Sequence, residues 1–498
     1  MRRPEWLPAA AVAAALAVLV AWSFGERWDV LAESPFPVGV DGYFYPIELR
    51  SLLAHGTLQY PASPLTFWWM APFAALTDPI TGAKLGAALG GALVALPAYG
   101  VGARLGRHRA AGLLAAVVAT ASAGSAYLSI EFVKQGIGLT VALTALWLVL
   151  RAAETPSRRR LAAAAAAIVA TLLAHKLAAA IVIAIAVPVL VEEARSRGTL
   201  RGRRLLYVVG AVAAAGIAIG VLGIVFPQRF ASAADVGKLG RLLTSHARWD
   251  GAALATPHLV LAFDHEAAIG GVLALAAAAT LVLGKRGSRG ERVCAWCFVG
   301  LALAIALPWL DVADPQGVAM RLRVAAFVPL AACAAIVAGE LLARWPKHAE
   351  PAVYVVAIAV LGLPRDRTEG RVVAHPALVA SALALADHVP AHATVIVPER
   401  HVEFMIAWYT GAPVSARPER VPYAQRVRVL LPLSSASTRF PLAPALAAAR
   451  AEPLLDPPLD LHPRARDGFV LVSEATWDWM LAQMPDRLRR HWAAWPTI

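Results

Sequence analysis

The chain has 498 residues, 59% of them hydrophobic and 16% charged, with a formal net charge of +13. So apolar a composition over that length excludes a soluble protein, and the basic residues sit in short clusters between apolar runs. Such clusters orient a membrane protein and do not build a nucleic-acid-binding face. Three cysteines exclude a disulfide framework, and Cys294 and Cys297, with Ala and Trp between them in an apolar run, read as packing residues.

In chain order, Arg2 and Arg3 place the N-terminus in the cytoplasm. Residues 7–24 read as an uncleaved signal-anchor span, with no convincing small-residue cleavage site before Trp22. That span delivers VGVDGYFYPIELRSLLAHGTLQYPASPLTFWWMAPF, residues 38–73, to the outer face. After Asp41 the periodicity is helical, with Tyr45, Leu49, Leu52 and Leu53 on one side and Glu48 and Arg50 on another, as in a helix lying on a membrane surface. Gly56, Pro61 and Pro64 end it, and Trp68 and Trp69 stand where interfacial aromatics are expected.

A second span, 80–103, carries Gly82, Gly86 and Gly90 at four-residue spacing, which predicts close helix packing and not a phosphate loop. Spans 110–130 and 137–150 follow, joined by a short outer turn holding Glu131, Lys134 and Gln135. Residues 161–191 would measure about 46 Å as one helix, against a hydrocarbon core of about 30 Å. Two short helices turning at His175 and Lys176 fit that thickness and keep the arginines of 195–204 inside.

Spans 205–226, 267–284, 293–310, 324–342 and 352–363 complete the series. An outer loop after the first of these holds Lys238, His246, Asp250, Asp264 and His265. The outer segment 309–323 holds Asp311, Asp314, Arg321 and Arg323. The sequence therefore predicts an α-helical multi-pass membrane domain over 1–363, with about eleven spans and a first outer loop at 25–79. Beyond Pro364, strand-like runs at 394–397, 427–431 and 469–472 alternate with helical stretches at 403–409 and 474–484. This predicts a small α/β domain over 364–498, outside the membrane, whose Glu399, Arg400 and His401 could touch a substrate but read first as solvated loop residues. The chain has no internal repeat.

The orientation rule sends Asp41, Glu131, Lys134, His175, Lys176, Asp311, Asp314, Arg321 and Arg323 to one face, where they can line one cavity. The cations carry the information. The chain has six lysines, and Lys134 and Lys176 fall in very short outer turns, where positive charge is ordinarily avoided; Arg321 and Arg323 break the same bias. An anionic ligand at the outer interface accounts for that pattern. Simpler readings stand beside it: Asp41 as a helix N-cap, Glu131 as a partner for Lys134 one turn on, and cations snorkelling to headgroups. His175 has no second His at ligand spacing, so a metal site is not expected.

Asp41 after the first span, Tyr43 and Tyr45, the Leu53-Ala-His-Gly56 helix end, the Pro64-Leu65-x-x-Trp68 step and the Ala71-Pro72-Phe73 start of the next element resemble the first outer loop of GT-C glycosyltransferases. The type is that of protein O-mannosyltransferases and aminoarabinose transferases. The resemblance covers residues 2–191 and continues as span order to 342. It implies transfer of a sugar from a polyprenyl-phosphate donor to an acceptor hydroxyl or other nucleophile on the outer face, with inversion.

In those terms Asp41 matches the general base and Glu131 the second acidic position. Arg321 and Arg323 resemble the residues that hold donor phosphate, with Lys134 and Lys176 beside them, and Tyr43, Tyr45 and His175 are further substrate contacts. No cofactor is implied beyond the lipid-linked sugar, and a divalent metal is left open. The partners are the polyprenyl-phosphate sugar, a glycan, lipid or protein acceptor, and the membrane, with no nucleic acid. The Arg-rich, Asn-free composition points to a bacterial inner membrane, with the N-terminus cytoplasmic and the C-terminal domain extracytoplasmic.

One departure concerns the donor: aminoarabinose-transferring members have a Lys near the Pro64 step, and Pro64-Leu65-Thr66 has none. Two other classes compete. A transporter should carry discontinuous helices, repeated halves and charges near mid-membrane, and a non-catalytic subunit of an envelope-glycan assembly system would have no need of Asp41.

Overall fold

The apolar runs fold as helices whose ends follow the prolines, glycines and charges of the sequence. The computed structural model describes residues 9–39, 41–198, 221, 225, 257–284, 287–306, 318–362, 376–397, 400–415, 418–430, 470–482 and 486. Among these, six helices are long and apolar enough to cross a membrane: Ala9–Ala32, Pro79–Leu105, Val133–Glu154, Lys176–Ser196, Ala262–Leu283 and Ala319–Arg344. Leu65–Leu76 and Arg109–Ala121 are shorter apolar helices. The protein is thus a multi-pass helical membrane protein with a small sheet near its C-terminus. Most of the predicted span 205–226 lies outside the described residues, as do Lys238, His246, Asp250, Asp311, Asp314 and Glu399.

One compact unit comprises Met1–Glu33, Tyr60–Leu76 and Thr81–Glu369; the other comprises Ser34–Gln59, Thr77–Ile80 and Gly370–Ile498. In the first, the elements are α1 (Ala9–Ala32), α3 (Leu65–Leu76), α4 (Pro79–Ala92), α5 (Ala95–Leu105), α6 (Arg109–Ala121), α7 (Ala123–Leu128), α8 (Val133–Glu154), α9 (Arg158–Ala174) and α10 (Lys176–Ser196). They are followed by α11 (Pro257–Leu283), α12 (Arg289–Ala306), α13 (Val318–Val324), α14 (Phe327–Arg344) and α15 (Pro346–Gly362). The predicted second span is two helices. Pro97 has no N–H to give the Leu93 carbonyl, which instead accepts from Leu96 at 3.1 Å, and the helix tightens there. Pro329 produces the same step between α13 and α14, where the Ala325 carbonyl accepts from Val328 at 3.1 Å.

Close approach, not bulk, holds these helices together. A Cβ on Gly82 would lie 2.3 Å from the Ala74 backbone, one on Gly86 2.5 Å from Met70 and one on Gly90 2.7 Å from Ile137. The four-residue glycine series is therefore the packing stripe it was read as. Cys294, Cys297 and Cys333 are free thiols, and Cys294 and Cys333 are buried among core side chains. The predicted break at His175 is present: α9 ends at Ala174, His175 is extended (φ −161°, ψ 129°), and α10 starts at Lys176. Both helices pack on α8. Asp264 and His265, expected in an outer loop, belong instead to α11, because the apolar periodicity of that helix already begins before them.

In the second unit, α2 (Phe44–His55) ends at Gly56, whose φ of 71° suits a residue without a Cβ. The helix is not two-sided as its periodicity suggested: Phe44, Tyr45, Pro46, Ile47, Glu48 and Leu49 are all buried. The Glu48 carboxylate is one of them because it accepts the Gln59 N–H at 2.8 Å, tying down the chain beyond the helix. After α16 (Pro376–Ala386), β1 (Thr394–Ile396), α17 (Arg400–Thr410), β2 (Val414–Ser415), β3 (Arg426–Leu430), β4 (Val470–Ser473) and α18 (Glu474–Ala482) form an α/β module. The sheet order is β2-β1-β3-β4, with β1 parallel to β2 and β3, and β3 antiparallel to β4. The predicted strands and both helical stretches are present at nearly the predicted positions, but the first of those helices begins at Arg400, so Arg400 and His401 are helical and not loop residues.

Candidate active site

In the helical unit, three of the candidate cations, from three helices, meet at the His175 turn. Lys134 lies in the first turn of α8, Lys176 opens α10, and Arg321 lies on α13. The charges of Arg321, Lys134 and Lys176 all act on the His175 imidazole, adding to a burial that already pushes its pKa far below the ordinary value; the ring is neutral. The His175 Cβ packs against Gly138, where an added Cβ would come within 2.6 Å, and its Nδ1 is buried without a hydrogen-bond partner among the described residues.

Arg321 is held by groups around it. Its guanidinium lies 4.4 Å from the Phe132 ring centre, and its backbone carbonyl accepts from Gln135 Nε2 at 2.8 Å. Phe132 stacks edge-on against Tyr127, and Tyr127 against Phe263, so aromatic packing ties α7, α8 and α11 beneath the arginine. Arg323 points to Asp264 at 2.6 Å, a pair that joins α13 to α11. Glu131, in the turn before α8, is buried, 6% exposed.

Two buried charges that the sequence reading did not single out frame the turn leading to Glu131. Arg27, in the last turns of α1, donates to the hydroxyls of Ser125 and Ser129, each at 3.0 Å, to the Ser23 hydroxyl and to the Thr120 carbonyl. Glu266 accepts from the Ser122 hydroxyl at 2.7 Å and the Ala123 N–H at 2.6 Å, filling the start of α7. Arg27 and Glu266 thus converge on the α6–α7 turn. They stand at the polar end of a cavity of about 700 Å³ lined by α1, α6, α11, α14 and α15. Apart from that end the lining is apolar, with Leu330, Val337, Leu341, Val353, Val356 and Val360 among its residues. Leu330 to Leu341 spans about 16 Å along α14, the scale of a lipid chain segment.

Lys84, one of the six lysines, is also buried, 8% exposed, inside a membrane-length helix. Its signal was legible, since a lysine within a span marks a functional position by default. Arg27 stands between Glu26 and Asp29, and Glu266 follows Asp264 and His265, so nothing local singles either out or announces its partners.

Asp41 belongs to the second unit, in the turn Asp41–Tyr43 before α2, and is partly exposed. The Gly42 N–H donates to the Gly39 carbonyl and the Phe44 N–H to the Asp41 carbonyl, both at 3.0 Å. A Cβ on Gly42 would sit 2.7 Å from the Val38 carbonyl, so the turn winds too tightly for any side chain there. The N-cap of α2 is Tyr43, whose side chain makes no capping bond. Tyr43 and Tyr45 are buried, 3% and 4% exposed. The Tyr43 hydroxyl lies 2.9 Å from that of Tyr409, and burial, aided by this contact, raises its pKa. Among the described residues no three His, Cys, Asp or Glu side chains gather as a metal-ligand set.

The fold, with its apolar helices and C-terminal α/β module, has a likeness among solved structures. Its likeness is to ArnT from Cupriavidus metallidurans. The crystal structure of that protein bound to undecaprenyl phosphate superposes with a TM-score of 0.52 at 17% sequence identity, covering 94% of this chain and 98% of that one. The apo structure of the same protein gives 0.49 at 17% identity, over 94% and 99%. No family model matches the sequence, and no curated protein matches it.

Proposed function

We propose that the protein is an inverting membrane glycosyltransferase that takes a sugar from a polyprenyl-phosphate donor and passes it to a nucleophile at the outer face of the membrane. The observation that carries the reading is the convergence of Lys134, Lys176 and Arg321 on one buried turn, in a unit that also holds a lipid-scale apolar cavity. The ArnT structure of like fold is described as bound to undecaprenyl phosphate. A phosphate leaving group needs positive charge and no general acid, and the three cations supply it from fixed helix ends. The neutral His175 ring adds a donor and an acceptor at the same place. Arg323 is engaged by Asp264.

The chemistry at the other substrate is a proton transfer. A carboxylate takes the proton of the acceptor as its oxygen or nitrogen attacks the anomeric carbon; the bond from that carbon to phosphate oxygen breaks, and the phosphate departs as an anion. Asp41 fills the role of base, and Glu131 orients the acceptor or shares that role. The acceptor is a glycan, a lipid or a protein, and the protein sits in a bacterial inner membrane with its N-terminus cytoplasmic and the α/β module outside.

The phosphate half of this reading is tested by retention of radiolabelled undecaprenyl phosphate on the purified protein. Arg321→Ala and Lys176→Ala are each expected to weaken retention by about 10- to 100-fold, the scale of one charge-assisted hydrogen bond. Retention unchanged in both variants would remove the phosphate from this cluster.

A further inference from the structure

The turn that carries Asp41 is docked, within its own compact unit, on one helix of the C-terminal module. Tyr43, two residues beyond Asp41, meets Tyr409 by hydroxyl contact at 2.9 Å and by ring contact at 5.6 Å. Phe44 lies 5.0 Å from Phe404, ring centre to ring centre. Arg50, one and a half turns on, places its guanidinium 4.4 Å from the Trp408 ring centre and donates to the Trp408 carbonyl at 3.3 Å. Three anchors, Tyr43 at the N-cap of α2 and Phe44 and Arg50 within it, therefore meet three side chains of α17, over 350 residues apart in sequence.

Helical spacing on α17 makes this a second working face. Val402, Met405 and Ile406, at i, i+3 and i+4, are buried at 5%, 0% and 0%, the pattern of a core face. Phe404 and Trp408, at i and i+4, lie on the other side and receive Phe44 and Arg50, while Tyr409, four residues after Met405, reaches Tyr43 from the end of the core side. A module that needed α17 only for its own core would have no use for a row of aromatics on the opposite face.

We infer that α17 of the C-terminal module is the positioning element for the Asp41 turn, with Tyr409 as its central contact and Tyr43 as a positioning residue. Tyr409 touches no reacting atom. It acts by fixing Tyr43, and through the short turn Asp41–Tyr43 the carboxylate. The inference rests on the reading of Asp41 as the base, and two independent readouts keep the two apart.

The first is hydrogen–deuterium exchange of the full-length protein in detergent or nanodiscs, followed at residues 38–46. Tyr409→Phe keeps the ring and loses the hydroxyl contact, and is expected to speed exchange there by about two- to tenfold, the scale of one net hydrogen bond, with exchange in α8 and α14 unchanged. The second is turnover of a polyprenyl-phosphate sugar. Tyr409→Phe is expected to lower kcat by a similar factor with KM held, and Tyr43→Phe with Tyr409→Phe together to be no worse than either alone. Phe404→Leu, which keeps an apolar side chain, should reproduce the exchange effect in smaller measure. Unchanged exchange at 38–46 in both Tyr409→Phe and Phe404→Leu would overturn the positioning role whatever the activity. Faster exchange with kcat unaltered would overturn the link from docking to catalysis. An inactive wild type would count against the Asp41 reading alone, with exchange still deciding the docking.

Discussion

The two units use a buried arginine in opposite ways. Arg27 spreads its donors over oxygens of α1, α6, α7 and Ser129, so one side chain fixes the mutual placement of several helices around the turn that leads to Glu131. Arg428 gives both prongs of its fork to Glu474, at 2.5 and 2.8 Å, and Arg426 joins the same carboxylate at 3.2 Å, so strand β3 is locked to helix α18. Hydroxyls and carbonyls can satisfy a guanidinium in an apolar surround as an ion pair can, without needing a charged partner for each donor. In the α/β module the ion pair has good geometry and serves stability. The difference is that between polar groups that set the shape of a site and polar groups that hold a scaffold.

The largest expected effect comes from breaking the scaffold pair. Glu474→Gln leaves Arg428 buried beside a neutral amide and should cost the α/β module about 3–5 kcal/mol. Thermal unfolding followed by limited proteolysis would show the C-terminal fragment released early, with the spans still protected. Burial pushes the Glu474 carboxyl up, but Arg428 and Arg426 outweigh it, and its pKa in the folded protein lies below the ordinary value. The pair's contribution is therefore complete above the unfolded carboxylate range and fades as pH falls through the folded value. Module stability should be flat above about pH 5 and decline below about pH 4, and Glu474→Gln should lose that acid-side slope.

The helical unit should respond less in stability and more in shape. A Cβ on Gly91 would lie 2.1 Å from Ser129 Oγ and 2.8 Å from Arg27 Nε. Gly91→Ala is expected to cost about 1–3 kcal/mol and to displace the Arg27 contacts. A melting shift with donor retention intact would mean that Arg27 only packs, and a loss of retention beyond the melting shift would tie the network to the site.

Much of this was legible in sequence. The break at His175 followed from helix length against bilayer thickness, and the glycine stripe from its spacing. The strands of the α/β module followed from short β-branched runs between turn residues. What was not legible depends on partners far along the chain. The Ala123 N–H finds the Glu266 carboxylate 143 residues away, and the hydroxyl of Tyr43 meets that of Tyr409 across 366. Periodicity describes one element at a time and cannot say which helix covers which face. That is also why α2 read as a surface helix: Glu48 looked solvent-facing until its partner, the Gln59 N–H, was in place. Lys84 was different, since its isolation in an apolar span was visible from the start.

The central claim is that Asp41 takes a proton while cations on other elements receive the phosphate. It is tested most directly by turnover of radiolabelled polyprenyl-phosphate sugars in membranes containing equal amounts of wild type or Asp41→Asn, with the acceptors of those membranes present. The account predicts donor consumption by wild type and a loss of about 10²- to 10⁴-fold in the variant, with undecaprenyl phosphate retention unchanged. Equal consumption by the two proteins would contradict it and move the base to Glu131.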